Sequence, residues 1–430
     1  MKSAVVGTID RAAVEALKEK YYRRNYIALV FEGFFFSFGY AMFSHQTVLP
    51  IYVSNITEST VLVSLLTLIF FSLSNGSSIF SAVLGVNTTS PKWLSVFICA
   101  LQRLGFLLIF LSTYTVAGSP ELGLVLFFSS YAVFAVTAGL SSPMFATMVS
   151  SVIHRDVPGF YGSYALAGAV GGLVASRVIA VFERYPFPEG FRYMFLSGLI
   201  MAVLATLIVV FFVREVRREP VAQKLHFADL PGLFKTVVRD NRPFRNFLVA
   251  RVLVAAAELS VPFYIVKVST LEGVTEGFVG AMSTVLLVSS MVFGKVLGYV
   301  GRRWGPFAQL GVGCAAGIGA ALLAIALPSP SYAYLLFALV SLAGQGPLLA
   351  NSVATIVYAP PRHVSVYASF SGLIVAPFYG LFSLGGGLVA NIASLDSVFM
   401  ISLALYAAAL VFVLSLRRRN AAYGRAVPGS

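Results

Sequence analysis

Twelve apolar runs leave this chain little choice of solvent. They lie near residues 27–52, 59–84, 93–116, 121–147, 159–182, 191–213, 246–268, 277–300, 305–327, 332–357, 365–391 and 395–416. A bilayer core of about 30 Å takes roughly 20 predominantly apolar residues at a rise of about 1.5 Å each, and every run reaches that length. A membrane β-barrel would instead show alternating segments of about ten residues, and the sequence has none. The overall balance agrees: 58% of residues are hydrophobic, 11% are charged and the mean hydropathy is +0.87. Soluble domains carry about a quarter charged residues. The chain therefore reads as an all-α integral membrane protein with twelve transmembrane helices.

Charge sets the orientation, because short loops rich in Lys and Arg stay on the cytoplasmic side. Roughly 23 of the 30 Lys and Arg fall in the N-terminal segment, the C-terminal tail and the even-numbered loops, against about three (Arg184, Arg192, Lys267) in odd-numbered loops. Both termini are placed inside, in a multi-pass protein of the cell (plasma) membrane. The formal charge of +13 is then accounted for by topology and by attraction to anionic inner-leaflet lipids, with no role for nucleic acid. The first run follows a basic, helix-prone segment, is too long for a secretory signal and lacks a small-residue cleavage site, so it reads as a retained helix. One long polar interruption, 214–245, carries eight Lys or Arg and an amphipathic stretch near 226–239 expected on the membrane surface. The organisation is thus a basic segment 1–26, a six-helix bundle 27–213, a cytoplasmic central loop 214–245, a second bundle 246–416 and a basic tail 417–430.

Equal helix numbers on either side of a loop invite a search for an internal repeat, and three stretches answer it. "VLGVNTTSPKW" at 83–93 echoes "VLGYVGRRW" at 296–304. "SPMFATMVSSVIHRDVPGFYGSY" from 142 matches "GPLLANSVATIVYAPPRHVSVYASF" from 346 in its proline, its small-residue spacing and its Tyr-x-Ser. "QTVLPIYV" at 46–53 resembles "ELSVPFYI" at 258–265, and all offsets fall near 204 to 213 residues.

Together these residues resemble the major facilitator superfamily. Its members carry twelve helices in a six-plus-six pseudo-twofold arrangement, a long basic central loop, and a G-x-x-x-D-R-x-G signature between helices two and three that is often repeated between eight and nine. The stretch Gly298-Tyr299-Val300-Gly301-Arg302-Arg303-Trp304-Gly305 matches the second copy, with Arg302 in place of the Asp. The first-half loop, Gly85 to Trp93, keeps the Gly and loses both Asp and Arg. The resemblance implies two pseudo-symmetric six-helix bundles and a secondary active transporter that moves a small solute by alternating access, with protons as the coupling ion and a monomer as the working unit. In that setting Gly298 and Gly305 serve a tight helix-to-helix turn. Arg302 and Arg303 are expected to bond carbonyls at a neighbouring helix C-terminus in the outward-facing state, or to hold the loop inside by charge alone.

Ionisable residues within spans mark pathways or partners, because burying a charge in lipid is costly. Arg177, Arg251 and Lys295 lie near span ends, where long side chains reach the interface, and His45 reads as a structural residue. Glu32 is shallow in the first span and faces an inner vestibule or a basic neighbour. Two charges are deep: Glu258, four residues before Pro262 as Gln46 is before Pro50, and Arg103. A carboxyl at the depth of Glu258 suits a group that alternately binds and releases a proton, so Glu258 is the expected coupling or substrate-contacting residue. Arg103 is expected in a buried ion pair within the first bundle, or at the site. Gln46, Asn75 and Gln345 extend the candidate site or tie helices together.

The absences also shape the reading. No phosphate-cradling G-x-x-x-x-G-K-[ST] loop, G-x-S-x-G or H-E-x-x-H is present, so neither direct ATP drive nor hydrolysis is expected, and the chain is read as no enzyme. Four scattered His and two isolated Cys, Cys99 and Cys314, imply no metal, no disulfide and no cofactor. A solute sensor built on a transporter fold, or a polytopic membrane enzyme, is the competing function. Drug or metabolite export and nutrient import remain equally open.

Overall fold

The protein, seen here as a computed structural model, is described over residues 11–44, 48–57, 60–221, 223–269, 271 and 276–420. Fifteen α-helices follow one another: α1 Arg11–Ala41, α2 Val48–Ser54, α3 Thr60–Asn87, α4 Pro91–Val116, α5 Pro120–Val152, α6 Val157–Phe182, α7 Glu189–Phe212, α8 Leu230–Asp240, α9 Arg242–Ala257, α10 Val261–Ser269, α11 Glu276–Trp304, α12 Pro306–Ala326, α13 Ala333–Val357, α14 Val364–Ile392 and α15 Leu395–Asn420. Leaving α8 aside, these form twelve spans, because α1 with α2 and α9 with α10 are each one interrupted span. Nine of the helical stretches among the described residues are long and apolar enough to cross a bilayer by length and composition.

The two interruptions are the structural counterpart of the repeat. The first span turns at 42–44, and His45 and Gln46 lie outside the described residues. The seventh turns as a short 3-10 stretch at Glu258–Ser260. Pro50 and Pro262, each just beyond its break, lack the amide hydrogen that a continuous helix would use there. Pro143 inside α5 and Pro347 inside α13 repeat the correspondence in the fourth and tenth spans. One boundary differs from the sequence reading: α1 takes up much of the basic segment and, at 31 residues, is about 47 Å long, so it stands well clear of the bilayer.

The packing of the cores divides the two ends of the molecule. At the end opposite the termini each bundle has its own core, one around Phe43, Tyr52, Phe106 and Phe195 and another around Tyr264, Phe399 and Ala320. At the basic end the cores run across both bundles. Val149 and Phe160 of the first half share a cluster with Leu297, Leu349 and Val353 of the second. Ala82, Val83 and Val86 of α3 share another with Val366, Tyr367 and Phe370 of α14. The halves are therefore apposed through α6 with α11 and α3 with α14.

The amphipathic stretch of the central loop packs in part against the bundles. It forms α8, whose Leu230 and Val237 are buried in the cluster that holds Val83 and Phe370, and the Phe234 ring meets Phe370 edge-on at 5.1 Å. Just before it, Phe227 meets Phe80 of α3 at 5.2 Å. Part of its apolar face is thus buried at the seam between the bundles, while Phe227 and Phe234 remain exposed at 49% and 38%.

Candidate functional site

Between the bundles lies a cavity of about 560 Å³, walled by α1, α4, α5 and α6 on one side and α11, α13 and α14 on the other. Glu32, Tyr40, Gln102, Tyr164, Gln345 and Asn351 supply much of its polar lining, among aromatic and aliphatic side chains. A second cavity of about 790 Å³ lies toward the non-basic end, lined almost wholly by the first bundle, and adjoins the first at Phe36, Ser37 and Tyr40 of α1. Both fall within the range of small-molecule sites.

Glu32 comes to the wall through the small residue beside it. A side chain added at Gly33 would lie 2.7 Å from the Tyr164 ring, so glycine there lets α1 and α6 approach until the Tyr164 hydroxyl faces the Glu32 carboxyl. Glu32 is 5% exposed, and its Oε2 has no hydrogen-bond partner. Arg103 stands behind it as the cation acting on that carboxyl. The expected ion pair of Arg103 takes a looser form: its Nε donates to the Ala202 carbonyl at 3.0 Å, its Nη1 to Gln102 Oε1 at 2.6 Å, and the guanidinium lies 5.5 Å from the Phe36 ring centre.

Glu258 heads a similar trio in the second bundle, with Arg251 and the Tyr379 hydroxyl as neighbours. Arg251 is here a buried residue at 9% exposure and not an interfacial one, which corrects the sequence reading. Its distance from the span end is short, but its face of α9 points inward to α14, where Nη1 donates to Ser371 Oγ at 3.1 Å. Ser371 Oγ in turn donates to Asn351 Oδ1 at 2.7 Å, and Asn351 lines the cavity. Glu258 is thus linked to the cavity wall through Arg251, Ser371 and Asn351, although it does not line the cavity itself. Gln345 does line it, while Asn75 sits on α3 with its Oδ1 toward Gly372 of α14.

The basic end is shut by close backbone approach. A side chain placed on Gly298 would lie 2.8 Å from the Gly162 Cα, and one on Gly162 would lie 2.8 Å from the Gly298 Cα. Gly298 therefore serves a helix crossing; the tight turn expected of the motif is confined to Gly305, which has φ +80 and precedes α12. Along the same seam Lys295 Nζ donates to Ser163 Oγ at 2.7 Å, and along the α3–α14 seam Ser369 Oγ donates to the Ser78 carbonyl at 2.6 Å. Arg302 binds a side chain and not helix carbonyls: its Nε is 2.8 Å from Oδ1 of Asp156, the residue that caps α6. Arg303 is exposed and belongs to no ion pair among the described residues.

Sequence reasoning missed two acids at this end. Asp156 supplies across the halves the carboxylate that the second motif copy lacks. Glu215, from the central loop, does so for the first: it accepts from Ser90 Oγ at 2.7 Å, from the Lys92 backbone N–H at 3.0 Å and from Ser151 Oγ at 2.8 Å, at the positive end of α4. Lys92 Nζ in turn donates to the Val210 and Val213 carbonyls, each at 2.8 Å, at the end of α7. A carboxylate missing from a motif is a signal to look for one nearby, but sequence spacing does not say where.

Comparison with known proteins fits this architecture. No curated protein sequence matches the chain significantly. Among solved structures, a bacterial homologue of the iron transporter ferroportin in its outward-facing state superposes with a TM-score of 0.72 at 16% identity, covering 91% of this chain and 98% of that one. A variant of the E. coli fucose:proton symporter FucP gives 0.70 at 13% identity, with 92% and 99% covered. The human organic anion transporter MFSD10 gives 0.70 at 14% identity, with 91% and 99% covered. These likenesses are likenesses of fold. The family model of the Major Facilitator Superfamily matches residues 159–378, more than half of the chain, and so the protein belongs to the major facilitator superfamily.

Proposed function

We propose that this protein is a secondary active transporter that carries a small solute across the plasma membrane by alternating access, working as a monomer among the lipids with protons as the coupling ion. The observation that carries the reading is the cavity between the two bundles, whose described residues pack across the halves in clusters at the basic end. A solute enters from the far side, reaches Glu32, Gln345 and Asn351, and leaves when the α6–α11 and α3–α14 seams part. Asp156 and Arg302, with the Gly162–Gly298 crossing, hold the inward exit shut. Glu258 is the coupling residue: a change of its charge alters its hold on Arg251, and Ser371 passes the displacement to Asn351 at the cavity. The breaks at 42–44 and 258–260 supply the compliant points about which the spans bend.

Two-sided labelling tests this in a background with Cys99 and Cys314 replaced. Ser352→Cys lines the inner cavity, and a membrane-impermeant maleimide is applied from either face of a proteoliposome. Labelling from both faces, with the basic-side fraction varying with pH in otherwise wild-type protein and not with Glu258→Gln, is the expected result. Reach from one face alone under every condition would leave a sensor. Two-sided reach that ignores Glu258→Gln would keep transport and remove Glu258 from the coupling step.

A further inference from the structure

Two residues that line the cavity from opposite bundles each carry a buried acceptor oxygen with no hydrogen-bond partner. One is Glu32 Oε2 on α1 and the other is Gln345 Oε1 on α13. Native proteins rarely leave such groups unmet unless water or a ligand serves them. No Lys, Arg or His is present among the described residues lining the cavity, and Glu32 is its one carboxylate. Arg103, the cation acting on Glu32, does not itself line the cavity and spends its Nε and Nη1 on Ala202 and Gln102. Of the two, only Glu32 belongs to the cavity lining. Around it stand the aromatic rings of Phe36, Tyr40, Phe70, Phe145 and Tyr164.

From this arrangement we infer the substrate class: an organic cation with at least two N–H donors on its charged head, such as a primary ammonium or an amidinium, joined to an apolar or aromatic body. One donor meets Glu32 in a charge-assisted bond and another meets Gln345, while the rings accept the cation and the body. A substrate that meets both residues bridges the two bundles, so its binding and the closing of the cavity are one event. Organic anions are excluded because the first charge they would meet is like their own.

The inference rests on the transport reading but is tested by binding alone. The purified full-length protein is titrated by fluorescence anisotropy with three probes that share one ring system: dansylcadaverine, which ends in an ammonium, its N-acetyl derivative, and dansylglycine, which ends in a carboxylate. Dansylcadaverine is expected to bind at least about tenfold more tightly than the acetylated probe, and dansylglycine not at all. Glu32→Gln is expected to weaken dansylcadaverine by at least about tenfold and to leave the acetylated probe unchanged, which a merely structural loss would not do. Gln345→Leu, a second variant that leaves the carboxylate in place, is expected to weaken the ammonium probe several-fold. Equal or tighter binding of dansylglycine, no binding of any probe, or ammonium selectivity that survives both substitutions would overturn the inference. Two-sided labelling at Ser352→Cys is read separately, so a wrong substrate class and a failure of alternating access are told apart.

Discussion

Replacing Gly298 by alanine isolates the α6–α11 crossing. The added methyl would stand 2.8 Å from the Gly162 Cα and 3.0 Å from the Pro158 carbonyl oxygen, both backbone atoms, so relief comes only from moving one helix away from the other. Overpacking of this kind costs about 1–3 kcal/mol. The gain in helix propensity on replacing glycine, about 1 kcal/mol, is common to inside-closed and inside-open states and cancels between them. The ratio of inside-open to inside-closed molecules should therefore rise roughly 5- to 160-fold. Spin labels at Thr89→Cys, before α4, and Pro360→Cys, before α14, report the separation of the two halves at the basic end by pulsed dipolar spectroscopy. Gly344→Ala is the control, since nothing lies within 4 Å of a side chain added there. A Gly298→Ala distance distribution that coincides with wild type would refute the assignment of this crossing as the inward barrier.

Three further outcomes follow from the structure. Arg302→Glu is expected to open the same seam, and the double swap with Asp156→Arg to restore it; with the side chains 53% and 30% exposed the pair contributes only about 0.2–1 kcal/mol, to be measured as a double-mutant cycle in the spin-label populations. Glu215→Ala strips the carboxylate from the start of α4 and should cost about 0.5–2 kcal/mol, seen as a lower melting temperature; an unchanged melt would show that the loop contact is idle. His363, in the loop before α14, is held below its ordinary pKa of 6.5 by burial and then by Arg362. The unfolded chain then binds its proton first, so stability present at pH 7.5 is lost as pH falls below about 6.5, and His363→Asn should flatten that part of the melting curve's pH dependence.

The spans and the repeat were legible because a bilayer imposes length and composition on every helix, and the prolines near 50 and 262 marked the broken spans. Glu32 and Gln345 were legible as polar residues in apolar runs, and the structure brings both to one cavity from opposite sides. Gln102 and Asn351, polar residues in the same kind of run, were open to the same argument. What stayed hidden was anything set by rotation about a helix axis or by contact across the chain. Arg251 read as interfacial because depth says nothing about facing. Asp156 and Glu215 read as ordinary loop acids because their partners are 146 and 125 residues away, at Arg302 and Ser90. The face of α8 was correctly amphipathic, but periodicity cannot distinguish a lipid surface from a protein seam.

Under the proposed alternating access, the central loop biases the energetics of the cycle. A molecule made of two near-equivalent halves has no intrinsic reason to prefer one shut end over the other. Residues 214–240 lift that degeneracy, since they bind the first half through Glu215 and Asn87, reach the second through the Glu219 carbonyl at Arg362, and wedge α8 between α3 and α14. The strap acts as a spring fitted to one side of a balanced rocker, with a charged part that sits in water. Its described contacts are hydrogen bonds to hydroxyl and backbone groups and an apolar wedge, so salt, which screens exposed charges over about 8 Å, should leave the strap's hold on the two halves largely unchanged.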